Sequence, residues 1–186
     1  MAELTIPEFQ AYLDDCNKEN AHGTERGTVL VGVSVLDDLL LRILQEFMID
    51  DAEVTKKLFG SRGPLSAFSA RIDTCFTLGL ITQDEANILH KCRDIRNDFA
   101  HKIGVTLRSQ SLEARCHYLY EMTTHTEEER RSRGAGKGDP RLAFGSAALR
   151  MAIILNQRLT ATVPQKRIAL LDQLELAERG YAAIQK

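Results

Sequence analysis

Apolar residues recur every three to four positions between residues 24 and 48, and this spacing constrains the fold more than any other feature. The recurring residues are Val29, Val33, Leu36, Leu40, Ile43, Leu44 and Phe47. Because neighbouring leucines widen this apolar face, we expect one long helix at the centre of the molecule. The best strand candidate, residues 105–107, is too short to found a sheet. The sequence therefore predicts an all-α fold.

Local start and stop signals divide the rest of the chain into further helices. Thr82 and Glu85 form a capping box ahead of a helix that we expect to end near His101. Asp139 followed by Pro140 has the order of an N-cap and a first helical residue. These signals predict a single-domain bundle of about seven helices around the long central helix.

The predicted domain is the whole chain, residues 1–186, a length typical of one domain. Its parts are an N-terminal helix and linker (1–23), a core (24–122) that contains the helix over 83–101, a polar loop (123–139) and C-terminal helices (140–186). The loop is rich in charge and glycine, with almost no apolar residue, so we expect it to be mobile.

Composition excludes several classes of protein. A net charge of −2 argues against a globally basic nucleic-acid-binding protein. There is no basic segment followed by an apolar run at the N-terminus, and charged residues interrupt every apolar stretch, so we predict a cytoplasmic protein without a membrane span. The four cysteines form no CxxC pair and the histidines lack zinc-site spacing, so no metal and no cofactor are predicted.

The predicted helix over 83–101 carries two distinct faces. One face is an apolar stripe of Ile88, Cys92, Ile95 and Phe99, which we expect to lie in the core. The other face is polar over nine positions: Arg93, Asp94, Arg96, Asn97, Asp98 and His101. These residues could form a solvated face with pairs along the helix, or they could supply a phosphate-binding arginine and an acid or base.

Geometry limits the second interpretation. Along one straight helix Arg96 and His101 point roughly 140° apart, so they cannot easily meet on one substrate atom. A helix that bends between them, or a second subunit across a two-fold axis, would remove this obstacle. The spacing leaves both interpretations open.

Residues 63–72, 78–81 and 94–101, together with Glu25-Arg26-Gly27, resemble the mannitol operon repressor family in sequence and in order. The resemblance covers roughly residues 24–160. It implies an all-helical protein that is associated with transcriptional repression of sugar-alcohol uptake genes. A repressor of this kind would act through protein partners, because no convincing helix-turn-helix is present. The helix after Gly79 begins with Gln83-Asp84-Glu85, which would repel phosphate, so direct sequence-specific DNA binding is not expected.

The segment from Arg96 to His101 also resembles the Arg-x4-His motif of HEPN domains, with a polar residue, Asn97, directly after the arginine. That resemblance implies a helical homodimer and, as the alternative function, a metal-independent endoribonuclease or RNA-binding protein. Carried over, Arg96 would bind phosphate, Asn97 would orient the site and His101 would act as acid or base.

Arg26 and Arg71 belong to segments that carry the family resemblance. We expect each to be partly buried and to pair with a carboxylate, Asp94 or Asp98, in a polar cluster that also includes Arg93. The alternative is that they are exposed, at a helix start and on a solvated face. From the resemblance to the mannitol operon repressor family, the leading hypothesis is a non-enzymatic regulator. From the resemblance to HEPN domains, the alternative hypothesis is a dimer that cleaves or binds RNA.

Overall fold

The computed structural model describes residues 6–124 and 138–164, with side chains from residue 9 onward. These ranges contain seven helices and no strand: α1 (Ile6–His22), α2 (Glu25–Phe47), α3 (Ala52–Phe59), α4 (Phe68–Thr77), α5 (Gln83–His101), α6 (Gln110–Thr123) and α7 (Pro140–Ala161). The all-α prediction is confirmed. Most of the predicted polar loop, and the part of the predicted C-terminal helices beyond residue 164, lie outside the described residues.

Helix α2 is the central element, as the apolar spacing predicts. Thr24 caps its first turn by accepting a hydrogen bond from the Gly27 amide at 3.0 Å. α1, α4, α5 and α7 all pack against it. Its inward face is fully buried at Val29, Leu36, Leu39, Leu40, Ile43 and Leu44. Burial of side chains this large stabilises a fold by about 1.5–3 kcal/mol each, so α2 makes a large contribution to apolar stabilisation.

Small residues allow α7 to approach α2 closely. A Cβ atom added at Gly32 of α2 would lie 3.2 Å from the Ala148 Cβ and 3.7 Å from the Phe144 ring. Ala147 and Ala152 of α7 are also buried. Small side chains on both helices therefore set the distance between them.

Helices α4 and α5 form a pair whose ends are fixed by local signals. Gly79 takes a φ of 71°, and the Leu80 amide donates to the Cys75 carbonyl at 2.9 Å, so the α4 helix ends here. The predicted capping box at Thr82 is present, with the Glu85 carboxylate accepting the Thr82 amide at 2.7 Å. The sequence pattern predicts a helix from Leu65, but helix α4 begins at Phe68, three residues later.

Helix α5 buries the predicted apolar stripe, Ile88, Cys92, Ile95 and Phe99, and leaves its polar face exposed or half-buried. Among the described helices, none is long and apolar enough to cross a membrane.

Candidate functional site: a polar cavity between α2, α4 and α5

A cavity of about 340 Å³ opens where the polar face of α5 meets α2 and the start of α4. Its lining is mostly polar or charged and comes from three stretches of the chain: Val33, Ser34 and Asp37 of α2; residues 66–69; and Arg93, Arg96 and Asn97 of α5. Three of the predicted site residues, Arg93, Arg96 and Asn97, thus share one concave surface. A volume of this size falls within the usual range of small-molecule pockets.

Arg71 holds one wall of this cavity in place. Its guanidinium donates to the Asp37 carboxylate at 2.6 Å, to the Leu65 carbonyl at 2.9 Å and to the Ser66 carbonyl at 3.4 Å. The Arg71 side chain is 11% exposed, so these bonds form largely out of water. Arg71 therefore ties the segment before α4 to the middle of α2, across 34 positions of sequence.

The carboxylate that Arg71 meets is not one of the expected partners. The sequence suggested Asp94 or Asp98, but both lie on the outer face of α5, whereas Asp37 lies on the α2 face that turns toward α4. Helix α2 packs against both α4 and α5, and this packing brings Asp37 to the arginine. The partial burial and carboxylate pairing of Arg71 are as expected; the identity of the partner is not.

Burial raises the pKa of the Asp37 carboxyl above its ordinary value, while the nearby charges of Arg71 and Arg96 act in the opposite direction. Asp37 is one-third exposed and bonded to Arg71. This pairing leaves the lone carboxylate of the lining poorly suited to abstracting a substrate proton. The cavity is better suited to binding than to acid–base chemistry.

The α5 wall supplies positive charge. Arg93 lies against Asp94 at 2.8 Å. Arg96 is exposed and donates a hydrogen bond to the neutral Asn97 side chain at 3.2 Å. Within the described ranges, Arg96 has no carboxylate at ion-pair distance. Its guanidinium is therefore available to a ligand in the cavity.

The remaining predicted residues lie toward the C-terminal end of α5. Asp98 pairs with Lys102 and, at 3.5 Å, with Arg115. His101 is the last residue of α5 and is exposed. The solvated-face interpretation thus describes this end of the helix. Arg96 points into the cavity, and the described chain gives no contact between Arg96 and His101.

Arg26 acts on the backbone rather than on a carboxylate, contrary to expectation. Its guanidinium donates to the Phe99 carbonyl and, at 3.1 Å, to the Lys102 carbonyl, and it stacks over the Phe99 ring. The Phe99 carbonyl is among the last of α5, which have no partner within the helix, and Lys102 is the C-cap residue. Arg26 therefore caps α5 and fixes the turn that follows it.

That turn presents an exposed apolar side chain. Ile103 is fully exposed, directly after Lys102 and before Gly104, which has a φ of 71°. On the far side of the turn, the Leu107 amide donates to the Glu25 carboxylate at 2.9 Å. The first turn of α2 thus anchors both ends of a short loop with Ile103 at its tip.

Sequence reasoning missed Asp37, Ser34, Ser66 and Ser69 as members of the cavity. Asp37 is one of the charged residues that interrupt the apolar stretches of the sequence. A carboxylate on a helix predicted to be central was the available signal, because a buried charge needs a partner. The serines gave no signal that could have been read without the tertiary structure.

A search of solved structures matches this fold to a chain in the X-ray structure of the MtlR–HPr complex from Escherichia coli, where MtlR is the mannitol operon repressor. The TM-score is 0.56, the sequence identity is 20%, and the match covers 81% of this chain and 99% of that chain. The two chains share a fold. No family model matches the sequence, and a search of curated proteins gives no match.

Proposed function

We propose that this chain is a transcription-associated, repressor-like regulator that works in the cytoplasm and acts through protein partners. The observation that carries the proposal is the fold shared with a chain of the MtlR–HPr complex, matched over 99% of that chain. The residues that resemble the mannitol operon repressor family point to the same function independently of the fold. HPr is accordingly the first partner to test.

The α5 helix supports action through a partner rather than direct reading of DNA. A recognition helix places its N-terminal residues against base edges and phosphates. Here the N-terminal turn of α5 carries Asp84 and Glu85, and Glu85 is committed to the capping box and to Arg158 at 2.9 Å. This end of α5 would repel the DNA backbone.

The loop around Ile103 offers a surface on which a partner could dock. An apolar side chain that is held in place and ringed by polar groups can anchor an interface by filling a pocket of the partner. Ile103 meets this description, because Arg26 and Glu25 fix the two ends of its loop and His101 and Lys102 lie beside it. We propose that Ile103 inserts into the partner, and that the chain itself is a homodimer.

The proposal is tested by size-exclusion chromatography with light scattering on the chain alone and mixed with purified E. coli HPr. We expect a dimer alone, and a further increase in mass with HPr. Ile103→Ser should weaken the complex by about tenfold or more, since truncating a hot spot costs about 2 kcal/mol or more. It should leave thermal stability unchanged, because Ile103 is in contact with solvent.

Ile49→Ser is the matched control. Ile49 is also exposed but follows the opposite end of α2, roughly 30 Å away along a 23-residue helix, so it should not affect binding. Absence of complex formation with HPr at micromolar concentration, or sequence-specific DNA binding by the chain alone, would contradict the proposed function.

A further inference from the structure

We propose that the cavity between α2, α4 and α5 is a binding site for a phosphomonoester group, with Arg96 as its main ligand. The proposal is independent of the proposed function, since it concerns a ligand of the cavity and not the docking of a partner protein at Ile103.

Charge in and around the cavity favours an anion. Asp37 is neutralised by Arg71 at 2.6 Å, and Arg93 is paired with Asp94 at 2.8 Å. Arg96 is left as the positive charge without a carboxylate partner among the described residues, and it lies in the lining. A guanidinium in this position can bind an oxyanion through two parallel N–H···O bonds.

The neutral groups of the lining are hydrogen-bond donors in the number that a phosphate needs. Ser34, Ser66 and Ser69 contribute hydroxyl groups, and Asn97 contributes an amide. A carboxylate offers two oxygens, whereas a phosphomonoester offers three, so this set of donors fits phosphate better. The volume of about 340 Å³ leaves room for a small organic group attached to the phosphate.

The segment at the start of α4 also lines the cavity. Residues 67–69 line the cavity, and Ala67 at the N-cap position provides no side-chain hydrogen bond to the first amides of α4. Arg71 holds this segment by binding the Leu65 and Ser66 carbonyls. The cavity wall is thus fixed by a buried arginine before any ligand arrives, which reduces the entropic cost of binding.

The test is isothermal titration calorimetry of the full chain with inorganic phosphate and with glycerol 3-phosphate, in a low-salt buffer free of phosphate and sulfate. Both probes should bind saturably. Arg96→Met should weaken binding by about tenfold or more, because charge-assisted hydrogen bonds to phosphate are lost. Arg96 is exposed, so this variant should fold. Amide NMR signals of Phe68, Ser69 and Asn97 should shift in the wild type on titration.

Arg108→Met is the matched control, because Arg108 is exposed and does not line the cavity, and it should bind both probes as the wild type does. A peptide that contains phosphoserine shows where the phosphate group of the natural ligand comes from. If the peptide binds more tightly than glycerol 3-phosphate, the ligand is a phosphorylated protein. If it binds more weakly, the ligand is a small phosphorylated metabolite. No saturable binding of any probe at about 10 mM, which would nearly saturate a site with a Kd of about 1 mM, or equal binding by Arg96→Met, would overturn the proposal.

Discussion

Replacement of Arg71 by methionine tests the main structural element of the cavity. Methionine retains the length and apolar stem of the side chain but none of its hydrogen bonds. The variant loses the bonds to Asp37 at 2.6 Å and to the Leu65 carbonyl at 2.9 Å, together with a longer one to the Ser66 carbonyl. It also leaves Asp37 partly buried without its cation.

The expected loss of stability follows from these contacts. Removing one partner of a fully buried ion pair costs about 3–5 kcal/mol. Because the Asp37 side chain is 33% exposed, water can replace part of what Arg71 supplied. We therefore expect Arg71→Met to lower the free energy of unfolding by about 2–3 kcal/mol at pH 7, within the range of hydrogen bonds to charged groups.

The loss should also depend on pH. In the wild type, the charge of Arg71 lowers the pKa of Asp37 and so offsets part of the effect of burial. Without Arg71, this pKa should lie still further above its value in the unfolded chain. A carboxyl with a raised pKa in the folded state binds more protons than the unfolded chain does, so its contribution is lost as pH rises through the folded pKa. The difference in stability between Arg71→Met and the wild type should therefore be smaller at pH 5 than at pH 7.

Urea unfolding followed by circular dichroism at 222 nm measures both quantities. Arg62→Met serves as the control at each pH, because Arg62 is exposed, and it should change stability by no more than about 0.5 kcal/mol. A loss below about 1 kcal/mol at pH 7, or a loss that is no smaller at pH 5, would refute this account of Arg71 and Asp37.

Two further predictions concern the core. Burial raises the pKa of Cys16 to about 11 and that of Cys75, Cys92 and Cys116 to about 12. The folded protein should therefore resist alkylation by iodoacetamide at pH 8, whereas all four thiols should react in urea. Rapid alkylation of the folded chain, detected by mass spectrometry, would contradict this. Gly32→Val should cost about 1–3 kcal/mol in urea unfolding, because the added methyl groups would meet Ala148 and Phe144, and an unchanged midpoint would show that α2 and α7 are less closely packed.

Much of the fold could be predicted because its signals are local. The spacing of Val29, Leu36, Leu40 and Ile43 repeats with the helical period, and the resulting face is the one that α2 buries. The capping box at Thr82 involves residues three positions apart, and Asp139 with Pro140 are adjacent. The start of α4 was misplaced because Leu65 and Ser66, which read as helical, have their carbonyls bound by Arg71.

The sequence by itself determined that this chain is helical, that α2 is central and that α5 has one apolar and one polar face, since each of these depends on residues within a few turns of one another. Only the tertiary structure decided what the polar groups bind. Asp37 and Arg71 are 34 positions apart, and Arg26 reaches the end of α5 across 73 positions. Such pairings depend on how the helices pack, and hydrophobic periodicity contains no information about which distant partner a charged side chain meets.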